Sequence, residues 1–266
     1  MKKCGNYLLI IITALLIAAC NADTSDSGRS TNDKFVAKNF NSICLLDSTE
    51  KLSPKFTIEI SIKSMVSDDK TREAKVNNAI VNSIYGFTGN SIEAATDSFV
   101  SIAQKEYYDL RPEYFNEKEI NPSAEWFNYM YKVSTDVEYG RNNVIIYKSE
   151  CHYYTGGAHP NTMVTYLNFD PISGEEITLT DIFKDGYEEY LCNRLTDALA
   201  DKIGANSRKE ILEKGYLNFN DIYPSENFML QKDSIQFFYN RYDIAPYALG
   251  TTTLGFTYEE LSNIMK

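Results

Sequence analysis

Both histidines of the chain fall in one short segment, Cys151-His152-Tyr153-Tyr154-Thr155-Gly156-Gly157-Ala158-His159-Pro160. Two imidazoles beside a thiol invite a metal or nucleophile reading, but the spacing supports neither. There is no CxxC and no HExxH, no GxSxG, and no recognised nucleophile context around Cys151. No metal and no cofactor is expected, and no catalytic residue is assigned. Paired carboxylates of the glycosidase kind leave no local spacing, so 37 Asp and Glu residues neither support nor exclude them. Gly156 and Gly157 admit backbone angles that other residues resist and allow a sharp turn. His159 ahead of Pro160 is held extended, as a loop-bracing histidine or as part of a partner surface presented with Tyr153, Tyr154 and Thr155.

A second segment, Asn240-Arg241-Tyr242-Asp243-Ile244-Ala245-Pro246-Tyr247-Ala248-Leu249-Gly250, is punctuated as a loop by its proline and glycine. Arg241 between tyrosines reads either as an interaction anchor or as an ion-paired rim residue. Tyrosine suits recognition because a rigid ring brings area and a hydroxyl. Most of the 20 tyrosines have the simpler reading of strand packing. Tyr153, Tyr154, Thr155, Gly156, Gly157, His159, Arg241, Tyr242 and Tyr247 are the candidate binding residues.

The elements around these loops read as follows. Phe56 to Lys63 alternates as a half-buried strand. Thr71 to Tyr85 has helical spacing, with Gly86 as its stop. Asn90 and Glu93 form a capping pair for a helix closed by Pro112. Strands follow at Trp126–Glu138 and Asn143–Tyr154 around a Gly140-Arg141-Asn142 turn, then at Met163–Phe169 and Glu176–Leu179, with Thr180 or Asp181 capping a short turn. Tyr187–Ile203 and Ser207–Lys214 read as helices. Leu217–Ile222, Phe228–Gln231, Ile235–Tyr239 and Thr251–Thr257 read as strands, and Tyr258–Met265 as a closing helix. Helices cluster between runs of antiparallel-looking strands, which is α+β rather than strict β-α alternation: two closely associated small domains with antiparallel sheets and packed helices.

The N-terminus has the form of an export signal: Met1-Lys2-Lys3, an apolar run from Tyr7 to Ala19, and Ile17-Ala18-Ala19-Cys20, which resembles a bacterial lipobox. Residues 1–19 are expected to be the signal, Cys20 the lipidated residue that anchors the chain to a membrane of the cell envelope, and 20–39 a polar tether. Losing Lys2 and Lys3 would take the net charge from −11 to −13. That acidity argues against nucleic acid, which needs a basic surface. Cys44, Cys151 and Cys192 would remain; they allow one disulfide and one free thiol, or three free thiols.

Tyr154-Thr155-Gly156-Gly157-Ala158-His159-Pro160, Asn168-Phe169-Asp170, Ser173-Gly174, Leu179-Thr180-Asp181-Ile182-Phe183 and Tyr242-Asp243-Ile244-Ala245-Pro246-Tyr247-Ala248-Leu249-Gly250 together resemble the C-terminal domain shared by RsiV and PdaC. Residues 151–266 would form that domain, and 40–150 the smaller PdaC-type domain that precedes it. The resemblance implies an α+β pair of domains that binds lysozyme in RsiV-type anti-sigma factors and accompanies a peptidoglycan deacetylase in PdaC-type proteins. With Met1-Lys2-Lys3 alone ahead of the apolar run and Lys266 at the other end, signalling and deacetylation are not expected to carry over. The expectation is a lipid-anchored extracytoplasmic binding module rather than an enzyme, its partner a basic lysozyme-like protein or a peptidoglycan fragment. A glycan-active enzyme with paired carboxylates and a structural envelope lipoprotein are the alternatives.

Overall fold

Alternation from Phe56 puts Ile58, Ile60 and Ile62 on one face, and all four are buried side chains of strand β2 (Lys55–Val66). The computed structural model describes residues 33–50, 52–87, 91–121, 124–218 and 220–266. The export signal, Cys20 and most of the expected tether lie outside the described residues. The end of that tether does not read as expected: β1 spans Lys34–Leu45 and pairs antiparallel with β2 from Lys34↔Val66 to Leu45↔Lys55. A full ladder and the partial burial of Phe35 and Phe40 against the core override the polar composition of residues 34–39.

Three helices follow. In α1 (Lys70–Tyr85) the Asp69 carboxylate accepts from the Thr71 and Arg72 amides, and Gly86 closes the helix in the left-handed region. α2 (Ile92–Asp109) is capped by Ser91, whose hydroxyl accepts from the Ala94 amide. Asn90 of the expected Asn90–Glu93 pair lies outside the described residues, and the cap is the next residue, Ser91. Pro112 opens α3 (Arg111–Glu117) instead of closing α2, since a first-turn proline forfeits no helical hydrogen bond. The long helical crossing lets β3 (Tyr129–Tyr139) return parallel to β2. β4 (Ile145–Tyr154) and β5 (Asn161–Phe169) then add antiparallel, in the order β1-β2-β3-β4-β5. This sheet is mixed, where antiparallel pairing was expected throughout.

The remainder packs as α4 (Leu179–Ile182), α5 (Glu188–Ile203) and α6 (Arg208–Glu213) with an antiparallel sheet of β6 (Phe228–Leu230), β7 (Ser234–Tyr239) and β8 (Thr252–Thr257). α4 begins with a capping box of Thr178 and Asp181, so the expected strand at 176–179 shrinks to one bridge, Phe169↔Glu176. Leu217, with φ of +54°, breaks the strand expected at 217–222. The expected closing helix is a series of turns that ends in the bridge Phe183↔Met265.

The fold is α+β with two cores, and β4–β5 serves both. Ile145, Tyr147, Leu167 and Phe169 enter the core under α1 and α2. Val144, Ile146 and Val164 enter the core with α5 and the second sheet. Successive strand residues face opposite sides, so one hairpin can feed two cores. The domain boundary expected at 150/151 therefore cuts through β4, a position that alternation and composition do not mark.

Asparagines join β5 to the second sheet. Asn168 Nδ2 donates to the Phe228 carbonyl (2.8 Å), and its Oδ1 accepts from the Leu230 amide (2.9 Å). Asn227 Oδ1 accepts from the Tyr166 amide and its Nδ2 donates to the Val164 carbonyl (both 2.8 Å). Asn240 makes the same pair of bonds with Val164, at 2.8 and 2.9 Å. The Asn227 and Asn240 amides thus bond Val164 and Tyr166 along β5's outer edge, which would otherwise be open there, while Asn168 reaches from β5 to the backbone of β6.

Candidate functional site

The hairpin that ends β4 and begins β5 presents the first candidate loop. Gly156 and Gly157 turn the chain with φ of +85° and +100°. A Cβ on Gly156 would also sit 3.4 Å from the Trp126 carbonyl. Tyr154 Oη donates to the Gly157 carbonyl (2.9 Å) and braces the turn. The second loop leaves β7 at Asn240, whose amide donates to Asp243 Oδ2 (2.7 Å), while the Tyr242 amide donates to the Ala245 carbonyl (2.9 Å). Tyr242 takes φ of +72° in this tight turn, a conformation that β-carbon-bearing residues resist, and its side chain is 54% exposed. Asp243 is partly withdrawn from solvent, which raises its carboxyl above the usual range.

The two loops, about eighty residues apart in the chain, meet. The Asn240–Val164 bonds bring the second loop to β5. Tyr247 Oη then donates to the Pro160 carbonyl (3.0 Å), and the His159 ring stacks on Tyr247 with centroids 3.8 Å apart and planes 24° from parallel. The Arg241 guanidinium lies over the same tyrosine at 4.9 Å, and the Tyr242 ring is 5.9 Å away. Arg241 forms no ion pair among the described residues, and its Nε is buried without a hydrogen-bond partner. Of its two sequence readings, the ion-paired rim residue finds no support. Tyr247 is thus a hub: it holds His159 on one side, Arg241 on another and the first loop through its hydroxyl.

Not every candidate joins this cluster. Tyr153 and Thr155 instead line a cleft between the helices and the first sheet. His152 bonds Thr162 (2.8 Å) within the β4–β5 ladder, so the two histidines play separate parts. Among the described residues no three His, Cys, Asp or Glu side chains gather as a metal site. Cys44, Cys151 and Cys192 form no disulfide, and burial raises all three thiols, Cys44 to about 11. Such thiols are poor nucleophiles at neutral pH. The cleft carries one carboxylate, Glu106, rather than a facing pair.

The rest of the cleft wall was not singled out in sequence. Phe99 belongs to the apolar stripe of α2, and Tyr129 and Tyr131 share one face of β3. Each pattern signals burial, and only the assembled sheet turns them into a cleft wall.

Fold and loops together define an α+β protein whose two sheets are stitched at β5 and whose joined loops expose aromatic rings beside an unpaired cation. Residues 180–259, a stretch that includes Arg241, Tyr242 and Tyr247, match a family model described as "Protein of unknown function (DUF3298)". The chain is 26% identical over 222 residues to the peptidoglycan-N-acetylmuramic acid deacetylase PdaC of Bacillus subtilis strain 168. That alignment takes in 78% of this chain and 42% of the PdaC chain, less than half of its length. A crystal structure of a DUF3298 family member from Bacteroides fragilis NCTC 9343 superposes with a TM-score of 0.82 and 28% identity, over 90% of this chain and 96% of that one. A DUF3298 protein from Pseudomonas aeruginosa PAO1 shares the fold, with a TM-score of 0.58 at 17% identity over 88% and 95% of the two chains. Among the described residues no helix is long and apolar enough to cross a membrane.

Proposed function

We propose that the chain is an extracytoplasmic binding module of the cell envelope, anchored through Cys20, whose recognition face is the joined loop pair. The observation that supports it is the cluster at Tyr247, where stacked rings border a guanidinium that pairs with no anion among the described residues. Such a surface suits a ligand that combines flat apolar faces with a carboxylate. Peptidoglycan fragments have that chemistry: sugar rings lie against tyrosine, and lactyl or peptide carboxylates pair with arginine. The likeness to a protein named as a peptidoglycan deacetylase favours the same ligand class.

Calorimetric titration of the full chain with soluble muropeptides tests this reading. Saturable binding is expected, weakened about 10- to 100-fold by Arg241→Ala, the equivalent of about 1.5–3 kcal/mol for a charge-assisted hydrogen bond. Absence of binding, or binding indifferent to Arg241→Ala, overturns it. A second reading, recognition of a basic lysozyme-like protein, draws on the net charge of −11. It predicts binding to c-type lysozyme that is strongest at low salt, and the same titration distinguishes the two.

A further inference from the structure

Tyr153 points away from the loop cluster, because neighbouring strand residues face opposite sides of the sheet. It enters a cleft of about 630 Å³ between α2, the end of α1, and the ends of β3, β4 and β5. α2 packs chiefly over β1 and β2, which leaves the adjoining part of the sheet uncovered. The walls include Phe99, Tyr129, Tyr131, Tyr153 and Met163. Phe99 and Tyr131 rings stand 4.6 Å apart, and Met163 remains 47% exposed. A cavity of this size with largely apolar walls and a few polar groups has the form of a small-molecule site.

The charge of the lining settles what kind. Glu106 is its one acidic side chain, with no basic side chain beside it in the lining, and it has no ion-pair or hydrogen-bond partner among the described residues. Glu113 lies close enough to Tyr129 to add to the burial that raises that phenol. The faces of tyrosine and phenylalanine rings also attract cations. An anion would meet Glu106 here, on a chain already at −11.

We propose that this cleft binds a small amphiphile with an apolar body and a cationic head, the body against Phe99, Tyr129 and Tyr131 and the head at Glu106. This site is separate from the loop cluster and does not depend on the reading given to that cluster. The test titrates the full chain with decyltrimethylammonium, decyl sulfate and decyl maltoside, each below its micellar concentration. Binding is followed by calorimetry and by fluorescence of Trp126, the single tryptophan. Saturable one-to-one binding of the cation is expected, at least tenfold tighter than that of decyl sulfate. Glu106→Gln should reduce the preference for the cation at least fivefold and leave the affinity for decyl maltoside unchanged. Met163→Trp, at an exposed position of β5, should fill the cleft and abolish binding of all three without altering the melting temperature. Ala103→Trp fills it from the α2 side and serves as the second variant. Arg241→Ala should leave all three affinities unchanged. The proposal is overturned if no probe saturates, if decyl sulfate or decyl maltoside binds as tightly as the cation, or if a folded cleft-filling variant binds as the wild type does. Loss of amphiphile binding in Arg241→Ala would also overturn it, by placing the probe at the loops.

Discussion

Replacing Asn168 by alanine tests the junction between β5 and the second sheet. Asn168 is 1% exposed, and its amide bonds two backbone groups of β6 at the same time. Alanine leaves the Phe228 carbonyl and the Leu230 amide without those partners, in a stretch where both residues are buried. Each buried backbone group deprived of its partner costs about 1–3 kcal/mol, so the pair costs about 2–6 kcal/mol. For a chain of this size that corresponds to a melting temperature lower by about 5–20 °C. Urea unfolding should be followed by far-UV circular dichroism and by Trp126 fluorescence. In the wild type the shared β4–β5 hairpin should make the two transitions coincide. In Asn168→Ala the dichroism transition should move first, because the second sheet loses its attachment. Asn168→Asp should be at least as damaging, since it keeps an acceptor for Leu230 but sets a carboxylate against the Phe228 carbonyl. A loss under about 1 kcal/mol in both variants would refute the clamp.

Gly140→Ala should destabilise severely, because a Cβ there would fall 1.7 Å from the Leu230 carbonyl oxygen; a melting temperature within a few degrees of wild type would contradict that close approach. Tyr247→Phe removes one exposed hydrogen bond to Pro160 and should cost about 0.5–1.5 kcal/mol while preserving ligand binding, whereas Tyr247→Ala should lose binding with the fold intact, as read by calorimetry and circular dichroism. Asp47 is held down to about 2 by the Thr49 hydroxyl and amide and by Lys118, so its contribution is present above the unfolded value near 3.9 and is lost as pH falls through about 2. Glu176 and Asp243, raised by burial, oppose that trend as pH rises. Melting temperature should therefore drop between pH 4 and 2, and Asp47→Asn should flatten the drop. Alkylation of the denatured chain without reductant should label Cys44, Cys151 and Cys192 alike; a disulfide among them in the peptide map would contradict the three free thiols.

Much of the architecture was legible in sequence where one local pattern sufficed. The alternation of β2, the Gly86 stop of α1, and the Gly156-Gly157 turn all appear where their residue types place them. What failed depends on partners far along the chain. Lys34 to Asn39 looks like tether until β2 supplies a ladder for it. The parallel pairing of β2 with β3 follows from where three helices carry the chain, which no local period reports. The division near residue 150 failed because alternation in β4 says that two faces are buried but not that they are buried in different cores. Of the site, both loops were legible from their tyrosines, glycines and prolines. Their meeting was not, because it rests on Asn240 reaching Val164 and Tyr247 reaching Pro160. Tyr153 parted from Tyr154 for the opposite reason: strand alternation sends adjacent residues to different faces.

Hydrogen–deuterium exchange of the full chain, with and without saturating muropeptide, tests the joined-loop recognition face most directly. The account predicts slowed exchange in both loops together, residues 153–160 and 240–247, with both effects lost in Arg241→Ala. Protection confined to one loop, or located elsewhere on the chain, would contradict it.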